Sequence, residues 1–163
     1  MNLSHNQLTS FPLPLASLPQ LDLLDLSSNS IYVLPEGIEG LQAVELNLNE
    51  NQVHRATMPL LDAAPQLTHL HPSVAGCPRL VTLRLERNLL APESLPAALL
   101  RCGPARRQVP PSRDSAVSLL CLEGNTFLMK ELEQLEDWSC YMERFTAAKK
   151  KNDFRGDGLP RPR

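Results

Sequence analysis

The chain has 163 residues, 42% hydrophobic and 21% charged, ordinary values for one globular domain. Its net charge of -2 gives no nucleic-acid footprint, and no apolar run reaches the roughly 18 residues of a membrane span. Only 4% of residues are aromatic, so the core has to be built from Leu and Val.

Asparagines at 6, 29, 51, 88 and 125 anchor five copies of one pattern, LxxLxLxxNxL. The first copy is short: Met1, Leu3, Asn6, Leu8, Phe11-Pro12, Leu15 and Leu18. The second is complete, with Leu21, Leu24, Leu26, Asn29, Ile31, Leu34-Pro35, Ile38 and Leu41. The third carries Ala43, Leu46, Leu48, Asn51 and Val53; the fourth Leu80, Leu83, Leu85, Asn88 and Leu90; the fifth Val117, Leu120, Leu122, Asn125 and Phe127. Apolar residues two apart predict a short strand with one buried face. The Asn ends the strand and satisfies backbone groups where the chain turns. A unit of this kind cannot bury its inner face alone and must stack on neighbours.

The spacing locates surplus chain. Asn6 to Asn29 is 23 residues and Asn29 to Asn51 is 22, whereas Asn51 to Asn88 and Asn88 to Asn125 are each 37. The extra residues predict two inserts, about 54–72 and 101–113, leaving the stack as loops. The first is expected as a partly ordered loop or short helix. The second, RCGPARRQVPPSR, holds three prolines and four arginines and is expected to be mobile. Leu132, Leu135, Trp138, Met142 and Phe145, with Tyr141, fall at helical steps and predict one capping helix over about 128–150. Residues 151–163, rich in Gly and Pro, are expected to be a disordered tail. The front end has no matching cap and reads as lacking upstream repeats. MNLSHNQL has no secretory leader pattern and no Met-Gly start. Cysteines at 77, 102, 121 and 140, with no CxxC, predict reduced thiols in a cytosolic protein.

The form LxxLxLxxNxLxxLPxxIxxL, with Leu34-Pro35 and Phe11-Pro12, resembles the intracellular leucine-rich repeats of the Ras-signalling scaffold type. The segments VELNLNENQ (44–52), CPRL (77–80) and YMERFTAAKKK (141–151) carry the resemblance to small members of that class. It covers residues 1–53, 73–100 and 114–151. The family's amino-terminal coils are absent, the two inserts have no counterpart in the family, and the tail after Lys151 differs from it. The resemblance implies a protein-binding solenoid without enzyme activity. Mis-spliced or retained sequence would explain the composition of the inserts, which leaves a non-functional product as one alternative.

The expected architecture is α/β: a right-handed leucine-rich repeat solenoid, with a parallel sheet on the concave side, an irregular or short-helical convex side and a C-terminal capping helix. Residues 1–150 form the repeat domain. Polar strand residues then line the concave face. Asp25, Ser27, Glu45, Asn47, Asn49, Arg84, Glu86 and Glu123 are the candidate partner-binding set. A rigid sheet that holds polar groups at fixed spacing loses little entropy on binding. Asn6, Asn29, Asn51, Asn88 and Asn125 are expected to form a structural ladder.

The function expected from this is a non-enzymatic, monomeric scaffold in the cytoplasm, in intracellular signalling, with a protein partner on the concave face. No cofactor, catalytic residue, metal or nucleic acid is expected. The other alternative is a peripheral membrane adaptor, whose weak contact would come from Lys149–Lys151 and the arginines beyond. His54, His69 and His71 match no common metal spacing. Arg155-Gly156-Asp157 is read as chance, because no secretory signal accompanies it.

Overall fold

The Leu-polar-Leu alternation forms strands of three residues. These are β1 (Leu23–Asp25), β2 (Glu45–Asn47), β3 (Thr82–Arg84) and β4 (Leu119–Cys121). The computed structural model describes residues 1–51, 70–101 and 115–156, with side chains through Lys150. All four strands are parallel and pair in chain order, β1-β2-β3-β4. The register places Leu24, Leu46, Leu83 and Leu120 in one row, and Asp25, Asn47, Arg84 and Cys121 in the next. A parallel bridge from Asn2 to Asp25 brings the first Asn-anchored segment into the same row.

Parallel neighbours need a crossover between them. Here the crossovers use short 3-10 helices, at Leu13–Ser17, Ile38–Gly40, Pro72–Gly76 and Pro92–Ser94, with the helical turn α1 (Ala97–Leu100) after the last. Three of them carry Pro in the first turn, where a missing N–H costs nothing. The crossovers stack as the strands do: Leu13–Ser17 on Ile38–Gly40, that helix on Pro72–Gly76, and α1 on Pro72–Gly76. Between the two layers Leu24, Leu26, Ile31, Leu34, Ile38, Leu41, Leu46, Leu48, Leu83 and Leu85 are fully buried. At about 1.5–3 kcal/mol per large aliphatic side chain, this strip is the main source of stability. The protein is therefore α/β, a four-stranded parallel sheet backed by short helices.

Residues 52–69, which take in most of the first expected insert (54–72), and residues 102–114, which take in nearly all of the second (101–113), lie outside the described residues. The described boundary shifts one reading. Pro72 opens the crossover helix that follows the third Asn-anchored segment, so it belongs to the stack rather than to the insert.

The predicted single capping helix is two pieces. α2 covers Met129–Leu132 and α3 covers Trp138–Gly156. Between them Asp137 adopts φ 70, a left-handed conformation no continuous helix contains. The break rotates the inward stripe. Leu132, Trp138 and Tyr141 are buried, Leu135 and Phe145 are half-buried, and Met142 is 38% exposed. Tyr141 thus takes the inward position expected of Met142, with ring centroids 5.1 Å from Trp138 and 6.2 Å from Phe145. The backbone of α3 continues past Lys150 to Gly156, into the span expected to be a tail; residues 157–163 lie outside the described residues.

Two cations tie this cap to the stack: Arg101 Nε pairs with Asp137 Oδ2 at 3.0 Å, and Arg144 reaches further. Arg144 donates to the carbonyls of Leu99 (2.7 Å), Leu100 (3.2 Å) and Val117 (3.2 Å), and to that of Arg101. Its guanidinium also lies 5.9 Å from the Tyr141 ring centre. Its fork therefore supplies donors to the end of α1, whose last carbonyls have no helical partner.

Candidate functional site

The edge of the sheet where the strands end is organised by the anchor asparagines. Asn51 is fully buried; its Oδ1 accepts from Ile31 N at 3.0 Å, and its Nδ2 donates to Leu48 O at 2.9 Å and Leu26 O at 3.2 Å. Asn29 binds Leu8 N, Leu3 O and Leu26 O in the same way. Asn88 accepts from Asn51 N and donates to Leu48 O and Leu85 O. Asn125 accepts from Leu90 N and donates to Leu85 O and Leu122 O. Each of these four satisfies its own turn and the preceding one. Asn6 is exposed, and its amide donates to Leu3 O and Ser4 O of its own turn.

The residue before each anchor was not singled out by sequence reasoning. His5, Ser28, Glu50, Arg87 and Gly124 all have φ between 52 and 76. This left-handed step turns the chain out of each strand and lets the Asn amide fold back. Only at Gly124 did the sequence carry the expected signal.

The polar face of the sheet brings the candidate binding residues together. Asp25, Glu45, Asn47 and Arg84 sit on the strands, and Ser27, Asn49, Glu86 and Glu123 follow them in the next row. All are half-buried except Glu123, which is exposed. One local device repeats along the face: Asn2 Oδ1 accepts from Ser4 N at 2.8 Å, Asp25 Oδ1 from Ser27 N at 3.0 Å, and Asn47 Oδ1 from Asn49 N at 3.1 Å. Each is a side chain closing a turn on backbone two residues ahead. Links across strands follow. Asn49 exchanges bonds with Glu86, Nδ2 to Oε2 at 2.6 Å and Glu86 N to Oδ1 at 2.8 Å. Arg84 Nε meets Glu45 Oε1 at 2.6 Å, and this bond holds the guanidinium further into its charged range. Arg87 meets Glu50 Oε1 at 2.7 Å; with Ser28, it pulls the Glu50 carboxyl below its usual range. The Cys121 thiol is pushed up by burial first and by the Glu86 charge second, opposite to what a nucleophilic thiolate requires.

Two depressions flank the end of this face. A polar cleft of about 380 Å³ is lined by Asn49, Glu50, Glu86, Arg87, Glu123 and Gly124. An apolar groove of about 430 Å³ lies between β4 and the cap, lined by Leu120, Leu122, Phe127, Met129, Trp138 and Met142 among others. Glu123 and Gly124 border both. The groove was not anticipated, because the helical stripe was assigned wholly to sealing the last strand.

Among the described residues no group of three or more His, Cys, Asp or Glu side chains could hold a metal. His71 instead shares a 2.8 Å hydrogen bond between Nδ1 and Ser73 Oγ and caps the Pro72–Gly76 helix; His54 and His69 lie outside the described residues. Cys77 and Cys121 are free thiols. Among the described residues no helix is long and apolar enough to cross a membrane. A search of known protein-family models finds none that matches this chain.

Proposed function

We propose that the chain is a leucine-rich repeat solenoid that acts as a non-enzymatic protein-binding module, with the polar face of its parallel sheet as the concave recognition surface. The observation that carries this reading is the repeated, pre-fastened polar face. Side chains at equivalent positions of successive strands are held by their own backbone and by neighbours, as in Asp25 with Ser27, Asn47 with Asn49, and Asn49 with Glu86. Binding to such a face immobilises few new rotamers, so more of the contact energy appears as affinity. An open sheet also suits a macromolecule better than a small substrate, which needs enclosure. The cytoplasmic signalling role and the monomeric state belong to the same proposal, through the resemblance of the repeat.

Proximity labelling in cells tests it, comparing the intact chain with Asp25→Arg/Asn47→Arg and with Glu93→Arg on the crossover side. The proposal expects the labelled set to collapse for the double variant and persist for the control, with matched melting curves. Equal labelling by all three would sink it.

A further inference from the structure

We propose that the apolar groove beside β4 and the acidic cleft adjoining it together bind a cationic amphipathic helix of a partner protein. The inference rests on the binding-module reading and names the class of partner for one end of that surface. Leu128 is 71% exposed and Met129 63%, a large apolar exposure for side chains beside a cap. Leu120, Leu122 and Phe127 stay only half-buried beneath them. Exposed apolar surface gathered into one groove marks an interaction site, and Met and Leu adapt to varied anchors.

Charge selects the occupant. Glu123 is the carboxylate on the groove wall and is shared with the cleft. The cleft adds Glu50 and Glu86 against the single guanidinium of Arg87, which already meets Glu50 at 2.7 Å. Among the described residues, three carboxylates to one guanidinium make the rim negative, so a segment with apolar anchors followed by Lys or Arg complements it.

Backbone chemistry selects the conformation. An added strand would need the outward N–H of Leu120 on the free edge of β4. That N–H already donates to Tyr141 Oη at 2.9 Å. The occupant therefore engages through side chains at helical spacing rather than by strand addition.

The test is selection of short random peptides displayed on phage against the full chain, followed by anisotropy titration of the enriched sequences. Enrichment of peptides with apolar residues three and four apart plus Lys or Arg is expected. Their binding should weaken about tenfold or more in Met129→Asp and severalfold in Glu123→Lys, while Glu93→Arg on the crossover side leaves it unchanged. Met129 is exposed, so its variant should fold, and Glu123→Lys serves as an independent second probe. Absence of enrichment, neutral or acidic enriched sequences, or indifference to both variants overturns the proposal. A concentration-dependent dimer abolished by Met129→Asp places a second copy there and also overturns it. So does binding that appears only after Arg106→Gln/Arg107→Gln, which assigns the groove to the chain's own arginine-rich segment. Loss of cellular labelling in the Asp25/Asn47 double variant alongside no peptide effect removes this inference and leaves the module reading intact.

Discussion

Replacing Asn51 with Ala separates a structural ladder from a row of polar surface residues. Asn51 is fully buried and serves two turns at once. Its acceptors are partly covered in the variant: Leu26 O still receives Asn29 Nδ2, and Leu48 O still receives Asn88 Nδ2. Ile31 N, in a fully buried residue, loses its only described acceptor. One orphaned buried donor costs about 1–3 kcal/mol, and two weakened carbonyl bonds add about 0.5–1 kcal/mol each. The expected loss is therefore about 2–5 kcal/mol, a large share of a small domain's stability. Asn6→Ala is the internal control, because Asn6 is exposed and bonds only its own turn; it should stay within about 0.5 kcal/mol. Urea unfolding followed by circular dichroism reads both, with the slope checked for constancy. Equal midpoint shifts in the two variants would refute the bridging role.

Three further outcomes are expected. Gly124→Ala should destabilise by about 1–2 kcal/mol by urea melt, because φ is 76 and the new Cβ would stand 3.0 Å from Arg87 Cγ; a neutral result would remove the argument from the left-handed turn. Burial, with the nearby Glu39 charge, pushes the Cys77 thiol from 9.0 to about 12. The neutral thiol is favoured in the folded state, so its stabilisation is complete below pH 9 and fades as pH rises toward 12; the stability of the intact chain relative to Cys77→Ala should fall by about 1 kcal/mol between pH 9 and 10, whereas a flat difference would contradict this. Arg144→Ala should cost about 2–3 kcal/mol, with Arg144→Lys recovering under half, because one ammonium cannot span the carbonyls of Leu99 and Val117; full rescue by Lys would refute the fork.

The periodic part of the molecule was legible because its cause is local. The alternation around Leu24, Leu46, Leu83 and Leu120 determines both strand and register, and the same rows put Asp25, Asn47 and Arg84 side by side. The fixed distance from strand to Asn made the anchor column visible as well. The left-handed column was hidden, since His5, Ser28, Glu50 and Arg87 are residue types with no strong turn signature, and the surrounding bonds override their preference. The split of the capping helix was hidden for a similar reason. Nothing in Leu135-Glu136-Asp137 breaks a helical period, and the break appears only because Trp138 and Tyr141 must face the last strand.

That split explains why the two ends of the stack differ. Leu24, Leu46 and Leu83 are fully buried because a following strand covers each, whereas Leu120 depends on the cap and is only half-buried. A continuous helix with Met142 inward would lay its whole apolar stripe on β4. Arg144 instead fastens α3 to Val117 and to the carbonyls at the end of α1. With Tyr141 bound to Leu120 N, the helix is held by one side, and Met142 turns outward. The contacts that stabilise the cap therefore also keep it from closing over Leu120, Leu122 and Phe127. Loosening Arg144 should cost stability and let the groove collapse, so affinity for an apolar helix would fall with it. A surface left open by its own anchoring is pre-organised, and a partner meets it without first having to displace the cap.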